Sequence, residues 1–431
     1  MRDILVTLLV FGSLPFILMR PYVGVLVWSW LSYMNPHRLT WGFAYDMPFA
    51  QIVAVTLLIS VFINKDKKGI PLNATTTIWI LFVGWMLITT LNAVYFDRAF
   101  DYFIRVAKIQ LITFLTLMLI TTKDRLNYLI WTIVLSIGFF TLKGGLFTIL
   151  TGGAHRVYGP EDSMISENNA MGLTTLMVIP LMYYLWTVTS HKWVKRFLLL
   201  AIVLSVAAAL GSQSRGALVA TIAVGGYFWW QSKSKVITGI ALVLLLGIGV
   251  MFMPESWHER MDSIRNYEED ESAMSRIHAW TYSLNIASDR ITGGGFNSWS
   301  RPTYAVYSPE GKGTYVAHSI YFNVLADHGW LGLILFLLIW GWTWMNLSKV
   351  ARITRNDALY RDFHVLSRMI KVSLVAYFSG GAFLSLSYFD LPWHLFAIAV
   401  IVVSLVEPRE LARQARHKPV GSGLEKSGSY R

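Results

Sequence analysis

The chain has 431 residues, none of them cysteine, and only 14% of them are charged. Without cysteine there are no disulfides, no thiolate nucleophile and no Cys-ligated metal or iron–sulfur centre, although the redox compartment stays undecided. Other signatures are missing too. There is no His-Glu-x-x-His and no i, i+4 histidine pair for a metal. No Asp-x-Asp stands at the end of an apolar run. The glycine run at 293–295 lacks the Gly-Lys-Ser/Thr ending of a phosphate-binding loop.

What the chain has is hydrophobicity. Its residues are 55% apolar and its mean hydropathy is +0.48, too high for a soluble globule. Apolar runs fall at 4–19, 22–34, 48–63, 77–94, 103–120, 126–149, 169–188, 194–211, 216–231, 236–253, 319–347, 370–386 and 388–406. The fold class is therefore an all-α polytopic membrane protein.

The net charge of +12 reads as topological rather than as a nucleic-acid footprint, because Lys and Arg crowd into short connectors. Basic connectors lie at 64–69, 123–125, 191–196, 232–235 and 349–371, with a basic tail from Arg409, and these are expected to be cytoplasmic. The alternating connectors 95–101, 151–168, 211–215 and 254–317 are then external. Runs 4–19 and 22–34 are each shorter than the ~20 residues of a perpendicular span, and Arg20-Pro21 divides them. Counted as one broken crossing, they give about 12 transmembrane helices with both ends cytoplasmic. Counted separately they give thirteen, with the N-terminus outside.

The chain then divides into transmembrane helices over 1–253, a large external loop over 254–317, further transmembrane helices over 318–406 and a tail over 407–431. No internal repeat is evident, and 421–431 reads as a disordered Gly/Ser-rich end.

Candidate chemistry gathers on the external connectors. Arg215 stands at a tight helix junction, Gly211-Ser212-Gln213-Ser214-Arg215-Gly216. An arginine there either anchors lipid headgroups or grips a phosphate through two parallel charge-assisted hydrogen bonds. Within the loop, Ser272 opens a predicted helix to about Asp289, with Ala273, Ile277, Trp280, Leu284 and Ala287 on one stripe. Arg276 lies one turn before Trp280. His318 precedes the run 319–347, where an imidazole can take a proton from a hydroxyl near neutral pH or serve as a structural hydrogen-bonder. Glu161, Asp162 and Glu167 lie beside His155 and Arg156 on the connector 151–168, and nothing in the sequence singles out one carboxylate. Lys108, Lys143, Asp390 and His394 are too sparse within the apolar runs for a proton relay.

The order Ser214-Arg215-Gly216, Arg276 with Trp280, Gly293-Gly294-Gly295-Phe296, and His318 followed by Gly329 and Gly332 resembles the O-antigen ligase and polymerase superfamily. Its motifs cover about 170–347. The opening Met1-Arg2-Asp3-Ile4 and the stretch Arg20 to Arg38 with Asn35-Pro36 resemble a subgroup of O-glycosylation ligases found with exosortase systems. Ser319 and the Asp327-His328 pair depart from the common pattern.

By this resemblance the chain is a bacterial inner-membrane glycosyltransferase, its large loop periplasmic. It is expected to move a preassembled glycan from undecaprenyl diphosphate to a hydroxyl of lipid A-core, with inversion. Alternatives are an O-antigen polymerase, a protein O-oligosaccharyl ligase, or a transporter of polysaccharide or lipid. His318 would activate the acceptor hydroxyl, Arg215 and Arg276 would bind the diphosphate, and Arg156 and Arg301 would add contacts. The arginines and the lack of a carboxylate metal site point to a metal-independent mechanism with no cofactor. Expected partners are the lipid-linked donor, the lipid A-core acceptor and membrane lipids, but no nucleic acid.

Overall fold

The computed structural model describes residues 1–65, 69–251, 255, 271–308, 310 and 313–417. Of the acidic cluster Glu268 to Glu271, the first three residues lie outside the described residues, as does the chain end 418–431. Among the described residues the fold is helical, with no strand. Ten helices come first: α1 (Arg2–Met19), α2 (Pro21–Met34), α3 (Phe49–Ile63), α4 (Ala74–Leu91), α5 (Phe96–Leu119), α6 (Lys123–Leu150), α7 (Asn168–Val188), α8 (Lys192–Gly211), α9 (Arg215–Gln231) and α10 (Lys235–Met251). Two helices of the polar insert follow, α11 (Glu271–Asp289) and α12 (Arg301–Tyr307). The last three are α13 (Ile320–Ile353), α14 (Arg361–Gly380) and α15 (Asp390–His417).

By length and composition, eight of the described helices can cross a membrane: α1, α4, α5, α6, α7, α8, α13 and α15. Long apolar sequences form helices because a backbone away from water must satisfy its polar groups internally. The helix ends carry local signals as well. Asn73 and Thr76 form a reciprocal capping box at the start of α4, and Thr122 caps α6 through Arg125 N–H.

Hydrogen bonds between the connectors fix the direction of each helix. Arg2 donates to the Leu39 carbonyl and Asp3 accepts from Ala44 N–H, so the start of α1 sits beside the segment that follows α2. Its far end is held by Ser60 and Asn64, which donate to the carbonyls of Ile17 and Leu18. A Cβ on Gly24 would approach Ile17 to 2.9 Å. α1 and α2 thus fold back as a hairpin about Arg20, rather than forming one broken crossing. A proline at the first position of α2 and an extended residue before it allow a reversal as readily as a kink.

Followed onward, thirteen of the described helices alternate in direction between two faces; α11 and α12 lie on one of them. One face gathers the connectors 35–48, 92–95, 151–167, 212–214, 290–319 and 381–389. They are tied to one another by Asn35 Nδ2 to Glu161 O, Arg290 to Asn92 O, Asn168 to Ser212 O and Ser387 to Ile320 O. The opposite face carries the basic connectors, where Lys123 pairs with Asp362 and Lys349 with Glu407. Met1 lies on the first face, and α15 reaches the second, where Glu407 meets Lys349.

α15 is the central helix, with 83% of its apolar span buried. Trp393 at its start stacks with Phe82 and packs against Trp79 and Phe336. Small residues bring helices close elsewhere: Thr141 and Ser205 hydroxyls bond at 2.7 Å between α6 and α8, where Gly145 meets the Leu204 carbonyl without room for a Cβ. Half-buried Asp390 and buried His394 on α15 are stitched to α2 by Ser32 (3.0 Å) and Tyr33 (2.7 Å). They serve as helix ties.

Candidate functional site at the connector face

The insert docks through aromatic residues. Tyr282 on α11 stacks with Tyr304 at 4.7 Å, lies against Trp299 and donates to Ser298, while Tyr304 donates to the Tyr315 carbonyl. The buried face of α11 is therefore Ala279, Tyr282, Ser283, Ile286 and Ala287; of the expected stripe Ala287 is buried, whereas Ile277 and Leu284 are exposed. Counting tyrosine and serine as polar rotated the expected face away from the real one. A tyrosine buries readily once its hydroxyl finds a partner.

α11 presents Trp280 to the start of α13. Its indole N–H donates to the Ala317 carbonyl at 2.9 Å, and its ring stacks on Phe322 at 4.8 Å and 13°. His318 follows immediately in the left-handed region (φ 44°), a conformation that histidine tolerates better than most residues. Ala317 is fully buried and His318 half-buried. Burial pushes the imidazole below the ordinary histidine range, Arg276 pushes it further down, and Glu167 opposes both. The neutral form, which can accept a proton, is thereby favoured near pH 7.

Arg215 opens α9. Its turn is fixed by the left-handed Gln213 (φ 51°), whose side chain donates to the Gly153 carbonyl at 2.9 Å, and by Ser214, which caps Ala217 N–H. Asn168 at the start of α7 holds the Ser212 carbonyl at 2.7 Å, and Val157 N–H holds that of Gly211. Arg156 lies beside the same turn, in a cleft it shares with His155, Tyr158 and Gln213.

These parts converge. The Gly380–Gly381 step after α14 lies between the two helix starts: Gly380 packs against the Gly216 carbonyl, and Gly381 against Ile320, two residues after His318. The starts of α7, α9 and α13 each bring the positive end of a helix dipole to this face. Glu167, the residue before α7, acts on His318 there. Its neighbours on the connector make other contacts, through a side chain in one case and the backbone in the other. Asp162 meets Arg38 at 3.5 Å, and the Glu161 carbonyl is held by Asn35. Sequence reading could not choose among these three carboxylates, because the choice depends on a residue about 150 positions away.

His318 and Arg276 are thus brought together, and Arg215 and Arg156 share a second turn joined to them through α7 and the Gly380–Gly381 step. Arg301 stands apart, exposed at the first turn of α12, where Ser300 caps the helix and bonds Tyr95 at 2.8 Å.

The glycine run forms a turn that packs on α13. Gly293 and Gly295 adopt φ of 62° and 76°, and the turn docks on a break in α13 at Gly329 (φ 66°, ψ −171°). Gly294 and Gly295 N–H groups donate to the carbonyls of Ala326 and Asp327, at 2.8 and 3.0 Å. A Cβ on Gly293 would stand 2.6 Å from the Ala326 oxygen. Asp327 and His328 turn inward beside this break: Asp327 accepts from Tyr388 at 2.9 Å, and His328 bonds Thr89 at 2.7 Å and meets Phe296 edge to face. Among the described residues no three of His, Asp and Glu gather as metal ligands.

The fold and this face define a class, a multi-pass helical membrane protein with a neutral histidine and arginines at one set of helix starts. Residues 200–337, which contain Arg215, Arg276 and His318, match the family described as O-Antigen ligase. Residues 1–190, which include Arg156 and Glu167, match a family of unknown function (DUF5935). No curated protein matches the chain.

Proposed function

We propose that the protein is an O-antigen ligase that transfers a preassembled glycan from undecaprenyl diphosphate to a hydroxyl of lipid A-core at the periplasmic face of the inner membrane. The observation carrying this reading is the meeting of neutral, half-buried His318 with Arg276, on the face where α7, α9 and α13 begin. The periplasmic assignment follows from the basic connectors of the opposite face.

In the transfer, the acceptor oxygen attacks the anomeric carbon and the bond from that carbon to the diphosphate oxygen breaks. Undecaprenyl diphosphate leaves with the bonding electrons, and the configuration inverts. His318 takes the hydroxyl proton as the new bond forms, and the imidazolium passes it to water. Glu167 favours that imidazolium, so it supports the step in which charge appears. The leaving diphosphate gains negative charge, which Arg215, Arg276 and the helix starts are placed to offset. Arg156 extends this cationic region, and Arg301 is a peripheral contact. Fixed cations make a divalent metal unnecessary in this scheme.

The test is ligation by purified protein given lipid-linked glycan and lipid A-core, followed by gel shift of the acceptor. Ligation that persists in chelator and is lost in His318→Ala and Arg215→Ala supports the proposal. Product made by both folded variants at wild-type rate overturns the mechanism. Chains of repeat units formed without lipid A-core would assign the polymerase reaction instead.

A further inference from the structure

A second feature lies away from this site. Between α7, α8, α9 and α14 runs an apolar cavity of about 610 Å³. Its walls include Leu176, Ile202, Leu218 and Val372, and it extends from Ser214 at one face to Phe228 near the other. That stretch of α9 covers about 21 Å at 1.5 Å per residue, the length of an extended fatty-acyl chain.

The lining residues differ between the two ends. Where the cavity approaches the connector face it is lined by Gln213 and Ser214, both neutral. At the opposite, basic face it is lined by Arg361 and Arg368, which lie two turns apart on α14. Arg368 donates to Gln231 at 2.8 Å, and no carboxylate among the described residues pairs with either arginine. Asp362 between them is taken by Lys123.

We infer that this cavity holds one anionic glycerophospholipid of the leaflet on the basic face, its phosphate on Arg361 and Arg368 and one acyl chain rising toward Ser214. Guanidinium groups bind phosphate through charge-assisted hydrogen bonds, and a basic recess between helices on this face is where an anionic headgroup binds. A lipid-linked substrate arriving from the connector face would instead set its diphosphate beside Arg215, which follows Ser214, and would leave Arg361 and Arg368 unused. The chain tip ends beneath the turn that carries Arg215, so the lipid would brace that turn from inside the membrane.

Native mass spectrometry of the full chain in mild detergent tests the site, with phosphatidylglycerol and phosphatidylcholine as probes. The wild type should retain one phosphatidylglycerol, with roughly tenfold preference over phosphatidylcholine, the value of one charge-assisted contact. The Arg361→Ala, Arg368→Ala double variant should lose the preference, and the corresponding double lysine variant should keep most of it. Thr221→Trp, which fills the cavity midway, should abolish retention of both lipids. Equal retention of the two lipids by the wild type would overturn the inference. So would an unchanged preference in the double alanine variant, or displacement of phosphatidylglycerol by added polyprenyl diphosphate, which would give the cavity to a substrate tail.

Discussion

Replacing Trp280 by phenylalanine removes one hydrogen bond and little else, which makes it the sharpest probe of how His318 is held. The indole N–H is the donor to the Ala317 carbonyl at 2.9 Å, and Ala317 is fully buried. Leaving a buried carbonyl unpaired costs about 1–3 kcal/mol. A phenylalanine keeps the stacking on Phe322, worth about 0.5–1.5 kcal/mol, which an alanine would also forfeit. The next residue, His318, sits at φ 44°, a conformation costing roughly 1–2 kcal/mol that is sustained only while its flanks are anchored. Once the Ala317 anchor goes, the strain can relax and the imidazole moves. Displacement by about 1 Å costs up to ~100-fold in rate. Trp280→Phe should therefore lower kcat for ligation about 10- to 100-fold with KM for the lipid-linked donor nearly unchanged. Thermal unfolding in detergent should report the stability loss separately. Ligation by Trp280→Phe within about twofold of wild type, alongside an inactive His318→Ala, would show that the indole N–H does not position the histidine.

Three further outcomes follow from the same contacts. Because the neutral imidazole is the working form, the acid limb of kcat/KM should follow His318. Arg276→Gln removes a charge that lowers its pKa and should move the limb to higher pH, whereas Glu167→Gln should move it lower; shifts in the same direction would refute the assignment. Gly293→Ala places a side chain at φ 62° and 2.6 Å from the Ala326 oxygen, and should cost about 2–4 kcal/mol of stability, read as a lower melting temperature. Since the chain is free of cysteine, single substitutions such as Asp46→Cys and Lys195→Cys can be labelled in intact spheroplasts by an impermeant maleimide. Asp46→Cys should react and Lys195→Cys only after lysis, and the reverse pattern would turn the protein over.

Hydropathy made most of the helices legible, and it failed where the physics of a helix differs from its average. α14 begins at Arg361, well before the apolar run at 370, because its first turns alternate Arg361, Asp362, His364 and Arg368 with buried Phe363 and Leu366. An amphipathic start of that kind carries no hydropathy signal. The Arg20-Pro21 step shows the same limit in another form. Sequence reports that the helix stops there, but only the bonds from Ser60 and Asn64 to the end of α1 report that the chain turns back. Arg276 with Trp280, and His318 before its helix, were readable because each pairing is local. Glu167 and the docking of Gly293–Gly295 on Gly329 were not, since each depends on a partner far along the chain.

The site's composition also bears on why the two family segments occur in one chain. His318, Arg276 and Arg215 come from residues 200–337, but the turn before Arg215 is held by Gly153, Val157 and Asn168 from the first 190 residues. That connector is in turn fixed by Arg38 on Asp162 and Asn35 on the Glu161 carbonyl, contacts wholly within the first segment. Contacts of the first segment thus run from the α1–α2 hairpin through the connector to the start of α7, where the charge of Glu167 raises the pKa of His318. A change at Asn35 or Arg38, far in sequence from the histidine, should therefore act through Glu167 and shift the acid limb as Glu167→Gln does, to lower pH. A change that merely loosened the fold would lower the rate at every pH without moving the limb.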